Sequence, residues 1–486
     1  MPPQQLSRRA CLTLLGTGAA VSLLAACGGT SQLQASATSA VQKPAAGTTA
    51  APGATTAAAP AVAATAIPSP TPGVRPIAMK SGYTPLRIWF HWGGKTGDFA
   101  QQLINDYNGT QGDQDKIHVT IETIPGGQYL EKMTAVNLAG DPPDVYHTSV
   151  VAKVLSKNQI AEPFPQDEAQ YVKDNYIAGA VDRMTIGGKI WGYPTEHQAP
   201  AYIYRQSLFD EVGIKGPPTT PDDEYEYAVK LTKKDGGKTT RYGYSLYHDG
   251  YPISDHLPGL IARFGGQMYT FDGDRPTKID VASQPAIDAV GWWKKLVDAG
   301  TTQVGQMPYA DSWKNGLSST TEIEVWFTLI NVRDAGRKDI YDDLRGVALV
   351  PKAGVKPIAY AGGWELVAAK GSKHNEERWK FMKWMMHKPA MPFSHFIVER
   401  IGAIPSPTDY PAEVPGWSKP MIQAYAVDTA KITQAHPGIK VLGGNEINKA
   451  ISDSLQGVLL GQQQLETALK ELNPRLNDIL KRTDPA

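Results

Sequence analysis

Cysteine is nearly missing. Cys11 and Cys27 are the only two in 486 residues, and both lie at the extreme N-terminus. The long remainder can therefore form no disulfide and offers no thiol chemistry, so its fold must rest on core burial, which a chain of this size can supply. Long apolar runs are missing too. Past residue 27 none approaches the roughly 18 residues that a membrane-spanning helix needs. Nor does either sign of charge dominate, since 48 Lys and Arg stand against 48 Asp and Glu. With no long basic run and no aromatic–basic stripe, nucleic acid is not expected as a partner. GxGxxG and Walker loops are absent, which removes support for a nucleotide fold, and neither GxSxG nor HExxH occurs. No catalytic residue, cofactor or metal is expected.

What the N-terminus does contain is organised. Arg8 and Arg9 precede an apolar stretch, Leu12 to Ala26, that is interrupted by Gly16 and Gly18 and is too short to span a bilayer comfortably. Residues 1–26 read as a signal peptide. Leu24-Ala25-Ala26-Cys27 resembles the bacterial lipobox, in which cleavage precedes a cysteine that is then acylated. Ser7-Arg8-Arg9 suits twin-arginine export, and ordinary Sec export accommodates it as well. Residues 27–83 then read as a lipidated Cys27 plus a disordered tether, because an Ala/Thr/Pro/Gly/Ser composition buries too little surface to offset chain entropy. A flexible tether of that length reaches on the order of 40 Å.

The body begins near Thr84. "LRIWFHW" (86–92) is a buried-strand pattern, 98–110 a helix, 116–124 a strand, 129–140 a helix closed by Gly140, and 143–150 a strand. Strand–helix alternation of this kind predicts a parallel sheet with helices on both faces, an α/β fold. Farther on, Thr220 fits an N-cap, Pro221 the first helical turn, and Asp222, Asp223 and Glu224 the positive helix end. Helices are also predicted over 283–300 and 375–388. On the first of these, only one of Trp292 and Trp293 should face inward. The tail reads as a helical pair broken at Gly461, with Pro474 kinking or restarting the second member. Asn108-Gly109-Thr110 matches a glycosylation triplet but is more simply a helix-ending turn.

Several stretches together resemble the bacterial extracellular solute-binding proteins of ABC importers, in particular the sugar-binding group related to maltose-binding protein. They are "AGDPPDVYHTSV", "GGKIWGYPTEHQAPAYIYRQSLFDEVGIKGPPTTPDDEYEYAVKLTK", "YAGGWELVAAKGSKHNEERWKFMKWM" and "GVLLGQQQLETALKELNPRLNDIL". The likeness covers nearly the whole body in the right order. It departs at Thr220-Pro221-Asp222-Asp223 and Tyr204-Arg205-Gln206, where the group commonly has Thr-Trp-Asp-Glu and Tyr-Asn-Lys. The resemblance implies a two-lobed periplasmic-binding-protein fold with several chain crossings, near Thr195–Gln198, Val325–Phe327 and Gly362–Glu365. One lobe would comprise 84–196 and 327–363, and the other 197–326 and 364–486. It further implies a monomer held at the membrane by its lipid, closing on a solute, most simply a carbohydrate, and delivering it to ABC permease subunits. Polyols, glycerol phosphodiesters and other polar solutes stay open. A secreted carbohydrate-active enzyme and a ligand-sensing module for a membrane signalling partner are the alternatives.

Ligands of doubly wound sheets sit beyond the carboxyl ends of strands. That rule selects Trp92 to stack on a sugar ring, or else to cap the core, and leaves Trp89 inside the strand. His147, Thr148 and Ser149 follow the next strand and suit hydroxyls, with loop capping as the plain reading. Glu196, and less so His197, sits at the first crossing, where a carboxylate can take two hydroxyl protons or form a hinge-side salt bridge. The resemblance turns His248, Asp249 and Tyr251 toward the cleft. A metal reading of His248, Asp249, Asp255 and His256 matches no strong ligand spacing. Trp326 and Trp364 lie at the later crossings, to close over a ring or to pack the hinge. Trp313 reads as a core anchor.

Overall fold

The computed structural model describes residues 74–124, 129–150, 152–248, 252–408 and 432–485. The expected signal peptide, Cys27 and the tether up to residue 73 lie outside the described residues, as do Asp249 and Tyr251. The strands that carry the argument are β1 (Thr84–Phe90), β2 (Ile117–Thr123), β3 (Val145–Thr148), β4 (Tyr193–Pro194), β5 (Pro200–Arg205), β6 (Thr320–Glu324), β7 (Leu344–Ala348), β8 (Ala359–Ala361), β9 (Glu365–Ala368) and β10 (Thr433–Ala435).

The first sheet has the order β2-β1-β3-β9-β4. β1 pairs in parallel with both β2 and β3, as strand–helix alternation requires, while β9 is antiparallel to β3 and β4. Its core draws on Leu86 through Tyr193 and then on Leu366 through Ala403. The second sheet is β6-β5-β7, antiparallel throughout. A large core packs around it from helices Pro221–Leu231, Pro252–Arg263, Gln284–Asp298, Gly444–Leu459 and Leu465–Thr483. Within it Arg263 is fully buried between Glu224, 2.8 Å away, and Glu322, so the guanidinium is neutralised in place.

These cores redraw the expected division. Residues 327–363 do not return to the first lobe, because β7 pairs with β5 and the buried Val332, Ile340 and Leu344 pack with the second sheet. Residues 364–403 do not join the second lobe, because β9 is inserted between β3 and β4 and helix Asn375–Met386 covers that same sheet. A short apolar strand such as "ELVA" fits either sheet by composition, and its partners decide. Helix Val325–Arg333 nevertheless touches both bodies: Trp326 packs against the first core and Arg333 Nη2 donates to Arg400 O, 2.8 Å away.

Three local expectations also change. Residues 74–83 are not free tether: Ile77 N donates to Asn105 Oδ1, Asn105 Nδ2 to Arg75 O, and Lys80 and Tyr83 both reach Asp113. Trp292 and Trp293 are both buried, since helix Pro221–Leu231 covers the second face and Trp292 Nε1 donates to Pro221 O. Helix Leu465–Thr483 runs through Pro474 unbroken. Pro474 lies on its solvent side, where water can satisfy the carbonyl that proline leaves without a donor. Thr220 Oγ1 accepts from Asp223 N while Asp223 Oδ2 accepts from Thr220 N, a closed capping box. Asn108 is buried with both amide atoms tied to Val119, so the helix-ending reading of the triplet fits its surroundings.

Candidate functional site

Three strand ends build one shelf. β1 stops at Phe90, so His91 and Trp92 leave the sheet at its carboxyl edge. β3 lies beside it in register, Trp89 opposite Tyr146, which brings His147 against Phe90 with ring centroids 4.5 Å apart and nearly parallel at 20°. β9 runs the other way, with Glu365 opposite Thr148 and Leu366 opposite His147. The start of β9 therefore meets the ends of β1 and β3, and Trp364 arrives at the same edge. Its ring stacks on His91 at 3.5 Å and 19°, lies 5.6 Å from His147, and lies 5.7 Å from Trp92. Phe393 and Phe396 close the back of this cluster, 5.2 Å from His147 and 6.0 Å from Trp92.

Beside the shelf, the two strands that pass between the cores run antiparallel. Gln198 N donates to Gly362 O and Gly362 N to Gln198 O, at 3.1 and 2.9 Å. Glu196, His197 and Glu365 are buried here, together with Arg183 from helix Ala178–Arg183. Burial pushes the Glu196 carboxyl up to about 8. Arg183 opposes this and the neighbouring Glu365 adds to it. Burial likewise pushes Glu365 up to about 8 against the pull of Arg183. At neutral pH both acids are therefore largely protonated. The histidines shift the other way for the same reason: burial takes His91 down to about 4 and His197 to about 3, and holds His147 well below its ordinary range. All three imidazoles are neutral.

Among the described residues, several of these groups have no hydrogen-bond partner: both ring nitrogens of His147 and of His197, His91 Nδ1, Glu196 Oε2, Glu365 Oε2 and Arg183 Nε. Buried polar atoms are normally hydrogen-bonded. They are gathered at one edge of one sheet, next to stacked aromatics, and are themselves buried.

Across the crossing lies a small pocket lined by Pro200, Asp255, His256, Gly259, Glu324, Tyr360, Gly362 and His436. His256 Nε2 meets Glu324 Oε1 at 3.1 Å. Burial pulls His256 down, but Glu324 outweighs it and the imidazolium is favoured. His436 Nε2 is 2.9 Å from Asp255 O and its Nδ1 accepts from Gly438 N.

The expected residues divide accordingly. Trp92, His147, Glu196, His197 and Trp364 are gathered at the shelf and crossing. Thr148 is buried, accepting from Val150 N, and serves the turn instead of presenting its hydroxyl to a solute. Ser149 is exposed and His248 is bound at Nδ1 to Leu246 O. Trp326 is half-buried against the first core. Trp313 is fully buried, as a core anchor should be. Among the described residues, no group of three or more His, Cys, Asp or Glu is arranged to hold a metal. His91, Arg183 and Glu365 were not anticipated. His91 could have been found by applying the strand-end rule one residue earlier, whereas Arg183 had no local signal.

The sequence profile described as bacterial extracellular solute-binding protein matches residues 93–392. The chain belongs to that family. A binding protein of Brucella abortus (strain 2308) is 23% identical over 401 residues, covering 80% of this chain and 92% of its own length. An ABC transporter extracellular-binding protein of Pyrococcus horikoshii is 25% identical over 317 residues, covering 62% of this chain and 68% of its own. Among solved structures, an ABC transporter solute-binding protein of Thermotoga lettingae, bound with α-D-tagatose, aligns with a TM-score of 0.65 at 20% identity over 82% of this chain and 99% of that one. The likeness establishes the two-lobed periplasmic-binding fold, and the solute-binding family places the protein's work outside the cytoplasm.

Proposed function

We propose that this solute-binding protein captures a carbohydrate between its two lobes and hands it, unaltered, to an ABC permease, with Cys27 carrying the lipid that keeps it at the membrane. The observation that carries the reading is the shelf of His91, Trp92, His147 and Trp364 bordered by buried polar atoms that have no hydrogen-bond partner among the described residues. Aromatic faces suit the C–H side of a pyranose, and uncharged imidazoles and carboxyl groups suit hydroxyls that both donate and accept. The sugar found in a relative of the same fold and the ABC transporter naming of another support it. Closure is favoured by the contacts a solute makes only in the closed form, so no bond need be made or broken. On this reading the lobes are about 84–195 with 365–405, and 199–361 with 432–485.

A thermal-shift panel of mono- and oligosaccharides, polyols and charged solutes tests it. A specific ligand at a hundred times its Kd stabilises by about 2.7 kcal/mol. The expected result is a shift with a neutral sugar that is lost in Trp364→Ala. A shift confined to charged solutes, or a sugar chemically changed after incubation, overturns the proposal.

A further inference from the structure

Arg183 is buried in a protein whose ligand shelf has no evident need of a cation. Its surroundings are mostly backbone. Nη2 donates to the carbonyl oxygen of Glu196 at 3.2 Å and to that of Trp364 at 3.3 Å, one on each crossing strand. The Trp364 carbonyl also accepts from Thr195 N and Thr195 Oγ1, at 2.9 and 2.8 Å. Gly363, between the clamped residues, has φ +145°, and a Cβ there would lie against the Arg183 guanidinium and 2.5 Å from Glu196 O. The backbone has thus been brought in close enough that only glycine fits.

One step farther from the first core, Gln198 and Gly362 form their reciprocal pair. Beyond that, Pro200 and Ala361 already belong to strands β5 and β8. From this order we propose that Arg183 is the positioning residue of the hinge: it fastens both crossing strands to the first lobe, confines bending to residues 198–199 and 361–362, and keeps Trp364 in place on its shelf. The inference rests on the two-lobed capture reading for its purpose, but its geometry does not depend on which solute is bound.

A guanidinium is suited to this task because it is planar and always charged: the two hydrogens of Nη2 reach both carbonyls while Nη1 and Cζ lie against Gly363. A lysine has the charge without the planar group that packs on Gly363. Among the groups facing Arg183, Glu365 Oε2 lies 3.8 Å away and Glu196 bears on it electrostatically, as does His197. The two acids favour their neutral forms, so the cation is directed to the backbone carbonyls.

The experiment uses the folded protein without solute and compares Arg183→Met and Arg183→Lys with the parent by amide hydrogen exchange and small-angle scattering. In Arg183→Met, exchange at Thr195, Gln198 and Gly362 is expected to quicken at least tenfold and the radius of gyration to spread upward. Tyr204 and Ile323, in the second sheet, should exchange unchanged. Arg183→Lys should lie between, and it keeps the test alive if the methionine variant fails to fold. Unchanged exchange at the three crossing amides overturns the proposal. So does acceleration spread evenly through the first core, which would mean that Arg183 only supports packing. A protein that bound no sugar at all would leave these results untouched, so failure of the capture reading is separately visible.

Discussion

Replacing Glu365 by glutamine should make the protein more tolerant of alkali. Glu365 is 2% exposed, and burial lifts its carboxyl to about 8. In the unfolded chain it returns to an ordinary value near 4.5. Between those values the folded state holds a proton that the unfolded state has released, so stability falls as pH rises. The contribution is fully present below about 4.5 and is lost as pH climbs through about 8. From pH 6.5 to 8 this one group should remove on the order of 1–2 kcal/mol. His91, His147 and His197 act in the opposite sense: their folded values are depressed, so they cost stability as pH falls through about 6.5, and at the acid end of this window they add an opposing slope of about 0.4 kcal/mol each that the parent and the variant share. Glu196 and His256 share the window with Glu365, since both are raised. The variant will therefore keep some slope, and the difference between the two proteins reports Glu365 together with its influence on Glu196. Urea unfolding at pH 6.5, 7.25 and 8 reads it directly. Glu365→Gln should gain on the parent steadily across the series. Parallel stability curves, or a variant that loses ground as pH rises, would show that the carboxyl is ionised in the folded protein and that Arg183 governs it more strongly than burial does.

Two further substitutions bear on the crossing and on the contact between lobes. Gly363→Ala should cost about 2–4 kcal/mol, from a left-handed backbone and a filled contact with Arg183. Gly362→Ala, where a Cβ meets nothing within 4 Å, should stay within about 1 kcal/mol in the same thermal melts. Lys153 Nζ lies 2.8 Å from Asp484 and also donates to Asp274 O and Lys440 O, joining the helix that follows β3 to the second body. Lys153→Met should lower stability by about 1–3 kcal/mol and flatten its dependence on salt between 0.05 and 0.5 M NaCl. An unchanged salt response would mean the pair adds nothing.

The sequence by itself determined the local events. Thr220 through Glu224 specified a capped helix because side-chain oxygens reach backbone N–H groups only a few residues away. The alternation from residue 84 to 150 specified parallel strands, since the chain between them is too long for a hairpin and long enough for a helix. Trp92 and Trp364 were legible as shelf residues because strand ends and crossings can be read from pattern and resemblance. The tertiary structure alone decided which sheet receives β9, because "ELVA" is apolar enough for either and hydrogen-bonded partners are not encoded locally. It alone set both Trp292 and Trp293 inside, by laying a second helix over the outer face. And it alone joined Arg183 to Trp364 and Glu365 across some 180 residues of chain. The contact belongs to no segment, and it forms only when strands from distant parts of the sequence come to lie side by side.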